Sequence, residues 1–124
     1  MIKINLKVTN FNAGPQVRTY LEKKLRKIEK LVTSSENDSE LILRVEIGRT
    51  TKHHQQGDIY RAEMQIHYSG EEIRATEESE DVFSAIDLTQ EELLGIIKRV
   101  KGKQETLVRR TGARVKDFIR KFYR

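Results

Sequence analysis

The sequence predicts an α+β fold of two layers, with the order β-α-β-β-β-α and two helices packed on one face of a four-stranded mixed sheet. Two hydrophobic patterns lead to this fold class. Apolar and polar residues alternate in several stretches, as in half-buried strands, and apolar residues recur every three to four positions in two others, as in amphipathic helices. A strand, a crossover helix and a second strand normally form a right-handed parallel unit, and the later strands are expected to continue as antiparallel hairpins.

The first half of the chain supplies a strand, a helix and a second strand. Apolar residues alternate with polar ones over 2–8, and Gly14-Pro15 then fits a helix start with proline at the first helical position. Apolar residues recur at helical spacing over 17–32, and a polar loop follows over 33–40. Alternation returns over 41–47, which predicts the second strand.

The second half supplies a hairpin and a long helix. Residues 49–57 predict an exposed hairpin loop, 60–68 a third strand, Ser69-Gly70 a tight turn, and 73–75 a short fourth strand. Ser79 is the expected N-cap of the second helix. The apolar face of this helix is predicted from Val82, Phe83, Ile86, Leu93, Ile97 and Val100. The uncovered sheet face is predicted to carry Lys3, Lys7, Arg44, Glu46, Arg61, Glu63, Gln65 and His67.

The helical pattern weakens after Lys101, which divides the chain into a domain over 1–103 and a basic tail over 104–124. Gly102 and Thr111-Gly112 are the expected breaks. Beyond them the spacing of apolar residues is compatible with a short basic amphipathic helix, formed by Val115, Phe118, Ile119 and Phe122. Because isolated helices this short are marginal in water, we expect the tail to be disordered or loosely docked until a partner arrives.

Charge is divided unevenly along the chain. Residues 98–124 hold eleven Lys and Arg against two acidic residues, a net charge of +9, whereas residues 1–97 have a net charge of −4. The overall charge of +5 therefore combines a mildly acidic body with a strongly basic C-terminal part. This division points to a polyanionic partner.

Composition and motifs exclude several classes of protein. The chain has no Cys, which excludes disulfides, thiol nucleophiles and thiolate metal sites. The N-terminal ten residues alternate and contain no apolar signal-peptide core, so a soluble cytoplasmic protein without a membrane partner is expected. No Ser-His-Asp grouping, P-loop or dinucleotide glycine motif occurs, and we predict no enzyme activity, cofactor, metal or small-molecule substrate.

Two segments carry a resemblance to a known family. Residues 74–87, RATEESEDVFSAID, combine a basic-Ala strand end, an acidic run and the pattern Asp-hydrophobic-aromatic-small-Ala-Ile-Asp. Residues 17–31, VRTYLEKKLRKIEKL, form a basic helix. Together they resemble the ribosome hibernation-promoting factor and ribosome-associated translation inhibitor family, in its short, sigma-54 modulation protein-like form. The sequence departs from the family at Phe83, where tyrosine is usual, at Glu92 and Gly95, where basic residues are usual, and in its basic tail.

The resemblance implies a translation inhibitor that occupies the decoding region of the small ribosomal subunit and sterically excludes tRNA and mRNA. Its partners would be the small subunit and ribosomal RNA, and residues 1–103 would be the ribosome-binding domain. Lys and Arg bind phosphates by displacing counterions, without reading sequence. The predicted RNA-binding residues are Arg18, Lys23, Lys24, Arg26, Lys27, Lys30, Lys98, Arg99, Lys101, Lys103, Arg109 and Arg110.

Other interpretations remain open at this point. A general double-stranded RNA-binding or RNA-chaperone module would also use a sheet backed by two helices, and a protein-interaction module could bind a basic partner through its acidic residues. The basic residues of the first helix could be a solvated face, and the tail could be a solubility tail or pack on the domain. The acidic residues at 71, 72, 77, 78, 80 and 81 are interpreted as turn and helix-start charges without a convergent His, and His53-His54 as a hairpin tip rather than metal ligands with His67.

Overall fold

The protein folds as two helices packed on a four-stranded sheet. The computed structural model describes residues 2–33, 41–50 and 57–122, with side chains at 2–32, 41–50 and 57–103. The elements are β1 (Ile2–Thr9), α1 (Pro15–Thr33), β2 (Leu41–Arg49), β3 (Tyr60–Tyr68), β4 (Glu71–Ser79) and α2 (Val82–Phe122). The sheet order is β1-β2-β3-β4. β1 pairs with β2 in parallel, and the other neighbours are antiparallel. The predicted fold class is confirmed.

The register follows the hydrophobic alternation of the strands. Leu43, Val45 and Ile47 of β2 are almost fully buried, and the residues between them point to the uncovered face. Ser69 and Gly70 both have positive φ, 53° and 80°, which is the geometry of a two-residue hairpin turn. The predicted strands at the N-terminus and over 41–47 and 60–68 are therefore confirmed, together with the tight turn.

The core lies between the sheet and the two helices. α1 contributes Leu21, Leu25, Ile28 and Val32, each at most 2% exposed. α2 contributes a second apolar stripe, whose members are Val82, Ala85, Ile86, Leu93 and Ile97. Two polar residues of α2, Thr89 and Gln90, are buried with them. Phe83 and Val100, which were predicted on this face, pack at its margin and are partly buried.

β4 is longer than predicted. It spans nine residues instead of three, because Glu77 and Glu78 pair with Ala62 and Arg61 of β3. Four of the six acidic residues assigned to a turn or a helix start, at positions 71, 72, 77 and 78, therefore lie in this strand. A strand at the edge of a sheet tolerates charged side chains, since many of them reach solvent.

α2 also differs from its prediction at both ends. It begins at Val82, so that Asp81 and not Ser79 is the N-cap. At the other end the helix continues through Gly102 and through Thr111-Gly112 to Phe122, where breaks had been expected. A single glycine costs a helix only about 1 kcal/mol relative to alanine, and strong helix formers surround Gly102. The residues of the predicted short helix belong to this longer one.

Candidate nucleic-acid interface

Five basic residues of α1 are exposed: Arg18, Lys23, Arg26, Lys27 and Lys30. The last four lie on the side of the helix away from its apolar stripe. Arg18 is anchored near the start of the helix, where its Nε donates a hydrogen bond to the carbonyl of Ala13 at 3.3 Å. A helix whose apolar stripe faces the core presents its charged positions to solvent. α1 therefore offers a row of cations to a partner.

Lys24, predicted as a sixth member of this row, is placed differently. Its side chain is only 22% exposed, and its Nζ lies 3.1 Å from Oδ1 of Asp87 on α2. The hydroxyl of Tyr20 donates a hydrogen bond to the same carboxylate oxygen. The ammonium group also lies 5.4 Å from the centre of the Tyr20 ring, within the range of a cation–π contact. We call Tyr20, Lys24 and Asp87 the interhelical clasp.

The clasp changes the acid–base properties of its three members. Burial alone would raise the pKa of Asp87, but hydrogen bonds from Tyr20 and Lys24 and the attraction of Lys24 and Lys27 hold this pKa below its usual value. The hydrogen bond with Asp87 is the main cause that raises the pKa of Lys24. It is also the main cause that raises the pKa of the Tyr20 hydroxyl. At neutral pH the clasp therefore contains a carboxylate, an ammonium group and a neutral phenol.

Further contacts along the clasp show the relative direction of the two helices. The ring of Phe83 meets that of Tyr20 edge to face, with centroids 5.0 Å apart. About two turns further along α2, Nε2 of Gln90 donates a hydrogen bond to the carbonyl of Lys24 at 3.1 Å. Residue numbers thus increase together along the facing sides of both helices. The C-terminal end of α1 and the 98–103 segment of α2 therefore lie toward the same end of the domain.

The basic residues of α2 between 98 and 103, where its described side chains end, lie at that same end. Lys98 follows Gln90 by about 12 Å along the helix axis, and Lys30 follows Lys24 by about 9 Å, at 1.5 Å per residue. Lys98, Arg99 and Lys103 are exposed, and Lys101 is half-buried. Arg109 and Arg110 belong to the helical backbone further on, where side chains are outside the described residues.

Two acidic residues, Glu80 and Asp81, directly precede the first turn of α2. This turn starts about 24 Å along the axis from Lys98. Glu77 of β4 lies against Glu92 of α2. A hydrogen bond between the two carboxyl groups raises the pKa of Glu92, and burial and the repulsion by Glu77 add to this effect. The positive charge of Arg99 acts in the opposite direction and lowers this pKa. α2 therefore has an acidic beginning and a basic end.

The uncovered sheet face carries charges of both signs that largely pair with one another. Arg74 lies 3.1 Å from Glu63, and Arg61 lies 3.7 Å from another oxygen of the same carboxylate. A cavity of about 440 Å³ opens over this face between β1 and β4. All eight side chains predicted for the face are found there as exposed or half-buried groups. The mixed charge makes this face a poorer match for a polyanion than the helical side.

The histidines give no metal site among the residues whose positions are described. Nδ1 of His67 lies 3.0 Å from Oε1 of Glu72, its cross-strand partner, so this carboxylate does have a convergent histidine, contrary to the sequence-based expectation. His53 and His54 lie outside the described residues. Within the described ranges, no group of three or more His, Cys, Asp or Glu could hold a metal ion.

Sequence reasoning missed three residues of the helix–helix contact: Tyr20, Asp87 and Gln90. Tyr20 and Lys24 are four residues apart on α1, as are Phe83 and Asp87 on α2, and these spacings place each pair on one helix face. The first of these spacings lies within residues 17–31 and the second within residues 74–87, the two segments that carry the family resemblance. Matching one helix face to the other required the packing angle of the helices, which the sequence does not provide.

Comparisons with known proteins agree with this geometry. A model of the family described as Sigma 54 modulation protein / S30EA ribosomal protein matches residues 4–105. Because the match covers most of the chain, the protein belongs to this family, and the predicted resemblance is confirmed. The matched region ends two residues after Lys103. It contains the sheet except for the first two residues of β1, together with α1, the clasp and the first basic residues of α2.

Two solved structures share the fold. The Thermus thermophilus Protein Y N-terminal domain is 27% identical, with a TM-score of 0.61, over 79% of this chain and 98% of that one. A ribosomal subunit interface protein from Coxiella burnetii is 19% identical, with a TM-score of 0.60, over 82% of this chain and 99% of that one, and this likeness supports the fold alone. No match was found among curated proteins. In the described residues, no helix is both long and apolar enough to span a membrane.

Proposed function

We propose that this protein is a translation inhibitor of the hibernation type, which binds the small ribosomal subunit in the cytoplasm and occupies its decoding region. The bound domain would exclude tRNA and mRNA by its volume, without turnover or a cofactor. Family membership supports ribosome association, because the family is described as sigma 54 modulation protein / S30EA ribosomal protein. The chemistry required of this protein is affinity for folded RNA.

The observation that carries the proposal is the common direction of the two helices. Because residue numbers increase in the same direction along both helices, Lys27 and Lys30 of α1 lie toward the same end of the domain as Lys98 and Arg99 of α2. The start of α2, with Glu80 and Asp81, lies at the other end. Phosphates of ribosomal RNA would be bound by Lys23, Lys27 and Lys30 together with Lys98 and Arg99. Each such contact releases condensed counterions, which makes affinity depend steeply on salt.

The test compares two pairs of lysines that carry the same charge on opposite sides of the sheet. Lys23→Gln with Lys27→Gln removes two charges from α1, and Lys3→Gln with Lys7→Gln removes two from the uncovered face. Cosedimentation with purified small subunits is measured over a salt series. The first pair should weaken binding and flatten the logarithmic salt dependence by about 1.5 units, at roughly 0.7–0.9 per phosphate contact. The second pair should change both quantities little.

Three outcomes would reject the proposal. Equal losses for both pairs would mean that binding depends on net charge and not on the α1 surface. Equal affinity of the parent protein for small subunits and for free RNA duplex at physiological salt would indicate a general double-stranded RNA-binding protein. Binding that survives both pairs and also charge reversal at 98–103 would favour a protein partner on the acidic side.

A further inference from the structure

Lys24 stands apart from the other lysines of α1 in its contacts. Its ammonium group is held by Asp87 and lies over the Tyr20 ring, and its backbone carbonyl accepts a hydrogen bond from Gln90. Two side chains of α1 thus meet a face of α2 formed by residues 83, 87 and 90, which are spaced by four and three. These contacts join the two helices that carry the candidate interface.

We propose that Lys24 does not bind phosphate and is instead a positioning residue, which acts through Asp87 to fix the basic row of α1 relative to the basic end of α2. The proposal rests on the proposed function, since it assumes that both helices contact RNA. A lysine that left Asp87 for a phosphate would deprive a half-buried carboxylate of one of its two partners. Retaining the pair leaves the interface preorganised, so that less ordering has to accompany binding.

This role reverses the effect expected of a charge change at Asp87. Asp87→Asn removes a negative charge beside the basic row, and electrostatics alone would strengthen binding to a polyanion. Loss of the clasp would weaken it, because Lys24 would lose its counter-charge and α1 could shift on α2. Glu91→Gln is the matched control: it removes the same charge one turn further along α2, from an exposed residue with no place in the clasp.

The experiment measures the affinity of the full chain for purified small subunits, at a temperature where every variant is fully folded. Asp87→Asn should bind roughly two- to tenfold more weakly than the parent, a coupling typical of residues in contact, and Glu91→Gln should bind equally or more tightly. A purely stabilising role would leave the affinity of the folded protein unchanged. Parental or tighter binding by Asp87→Asn would therefore overturn the proposal.

A double-mutant cycle separates positioning from direct contact. If Lys24 acts through Asp87, Lys24→Met should weaken binding in the parent but cause no further loss in the Asp87→Asn background. The affinity of the Lys24→Met variant should keep the parental slope of salt dependence. Lys24→Arg, which keeps the positive charge, should have most of the parental affinity. Lys24→Met could instead reduce affinity as much in the Asp87→Asn background as in the parent, and lower the salt slope by the amount of one phosphate contact. That result would show that Lys24 contacts the RNA directly.

Failure of this proposal can be distinguished from failure of the proposed function. The pair Lys23→Gln with Lys27→Gln leaves all three side chains of the clasp in place and tests the basic row of α1. If that pair weakens binding while the effects of Lys24→Met and Asp87→Asn on affinity add up, the proposed RNA contact of α1 is supported and the positioning role of Lys24 is wrong. If that pair has no effect, the interface itself is wrong and the positioning role is rejected with it.

Discussion

Asp81 and Ser84 are joined twice at the start of α2. The Oδ2 atom of Asp81 accepts a hydrogen bond from the backbone N–H of Ser84 at 3.3 Å and another from its hydroxyl at 3.2 Å. The other carboxylate oxygen accepts one from the N–H of Phe83 at 3.4 Å. The first N–H groups of a helix have no partner within the helix, so this aspartate satisfies two of them and also places negative charge at the positive end of the helix dipole.

We expect Asp81→Ala to destabilise the protein by about 0.5–2 kcal/mol, as is typical of a lost N-cap. Asp81→Asn should retain most of the stability, because an amide oxygen also accepts these hydrogen bonds. Glu80→Ala removes the neighbouring exposed carboxylate and should change stability little. Urea unfolding of the three variants measures the differences. Equal effects at positions 80 and 81 would show that general charge, and not capping, matters here.

A second prediction concerns the apolar stripe of α2. Ile86 is completely buried in the core, whereas Leu88, two residues further on, is 44% exposed. Ile86→Ala should destabilise the domain by about 2–5 kcal/mol through lost burial and the cavity that remains. Leu88→Ala makes a comparable change in side-chain volume at an exposed position and should lower the melting temperature only slightly. Thermal unfolding compares the two, and similar shifts would contradict the orientation of the helix.

The strands and the apolar stripes could be predicted from the sequence because each depends on neighbours a few residues away. Alternation alone placed Val45 in the core, and helical spacing alone placed Ile86 there. The length of β4 could not be predicted in this way. Glu77 and Glu78 are poor strand formers, and they are held in the sheet by pairing with β3 rather than by their own preference.

Long-range pairing also explains why the clasp was missed. Asp87 and Tyr20 are 67 residues apart in sequence, and nothing local indicates that their helices face one another at these positions. Lys24 looked like any other lysine of a basic helix until Asp87 was placed beside it. At Gly102 a local preference led to a wrong prediction. Glycine favours a helix break, but the helix formers on both sides of it outweigh this preference, and α2 continues.

A third prediction concerns pH and the contact between Glu92 and Glu77. Because the pKa of Glu92 is raised above its ordinary value of 4.5 in the fold, the native state favours the protonated carboxyl group, and ionisation lowers the free energy of unfolding. Glu92→Gln should therefore raise the melting temperature at neutral pH. The gain should disappear as the pH falls below 4.5, where Glu92 is protonated in both the folded and unfolded states.

Glu91→Gln provides the control for this prediction, since it removes an exposed carboxylate from the adjacent position. It should shift the melting temperature less than Glu92→Gln at pH 7. A stabilisation by Glu92→Gln that persisted unchanged into acid would have to come from helix propensity or packing. In that case repulsion between Glu92 and Glu77 would not be its cause.

The final prediction concerns the part of α2 beyond Lys103. Truncation there removes seven basic and two acidic residues, a loss of five positive charges. The sheet and the described core precede this point, so the melting temperature should change little. Affinity for small ribosomal subunits should fall, and the logarithmic salt dependence should flatten by about one unit per lost phosphate contact. A large fall in melting temperature would instead show that the tail packs on the domain.

Helical continuity makes a sharper version of this test possible. Gly102→Pro keeps every charge but interrupts α2, at a cost of about 3 kcal/mol to a continuous helix. Gly102→Ala is the matched control, because a Cβ atom at this position meets no heavy atom within 4 Å. If the tail binds RNA as a rigid extension of α2, the proline variant should bind almost as weakly as the truncated chain, and the alanine variant at least as tightly as the parent. Parental affinity in the proline variant, together with a loss on truncation, would mean that the tail contributes its charges without needing the helix to continue.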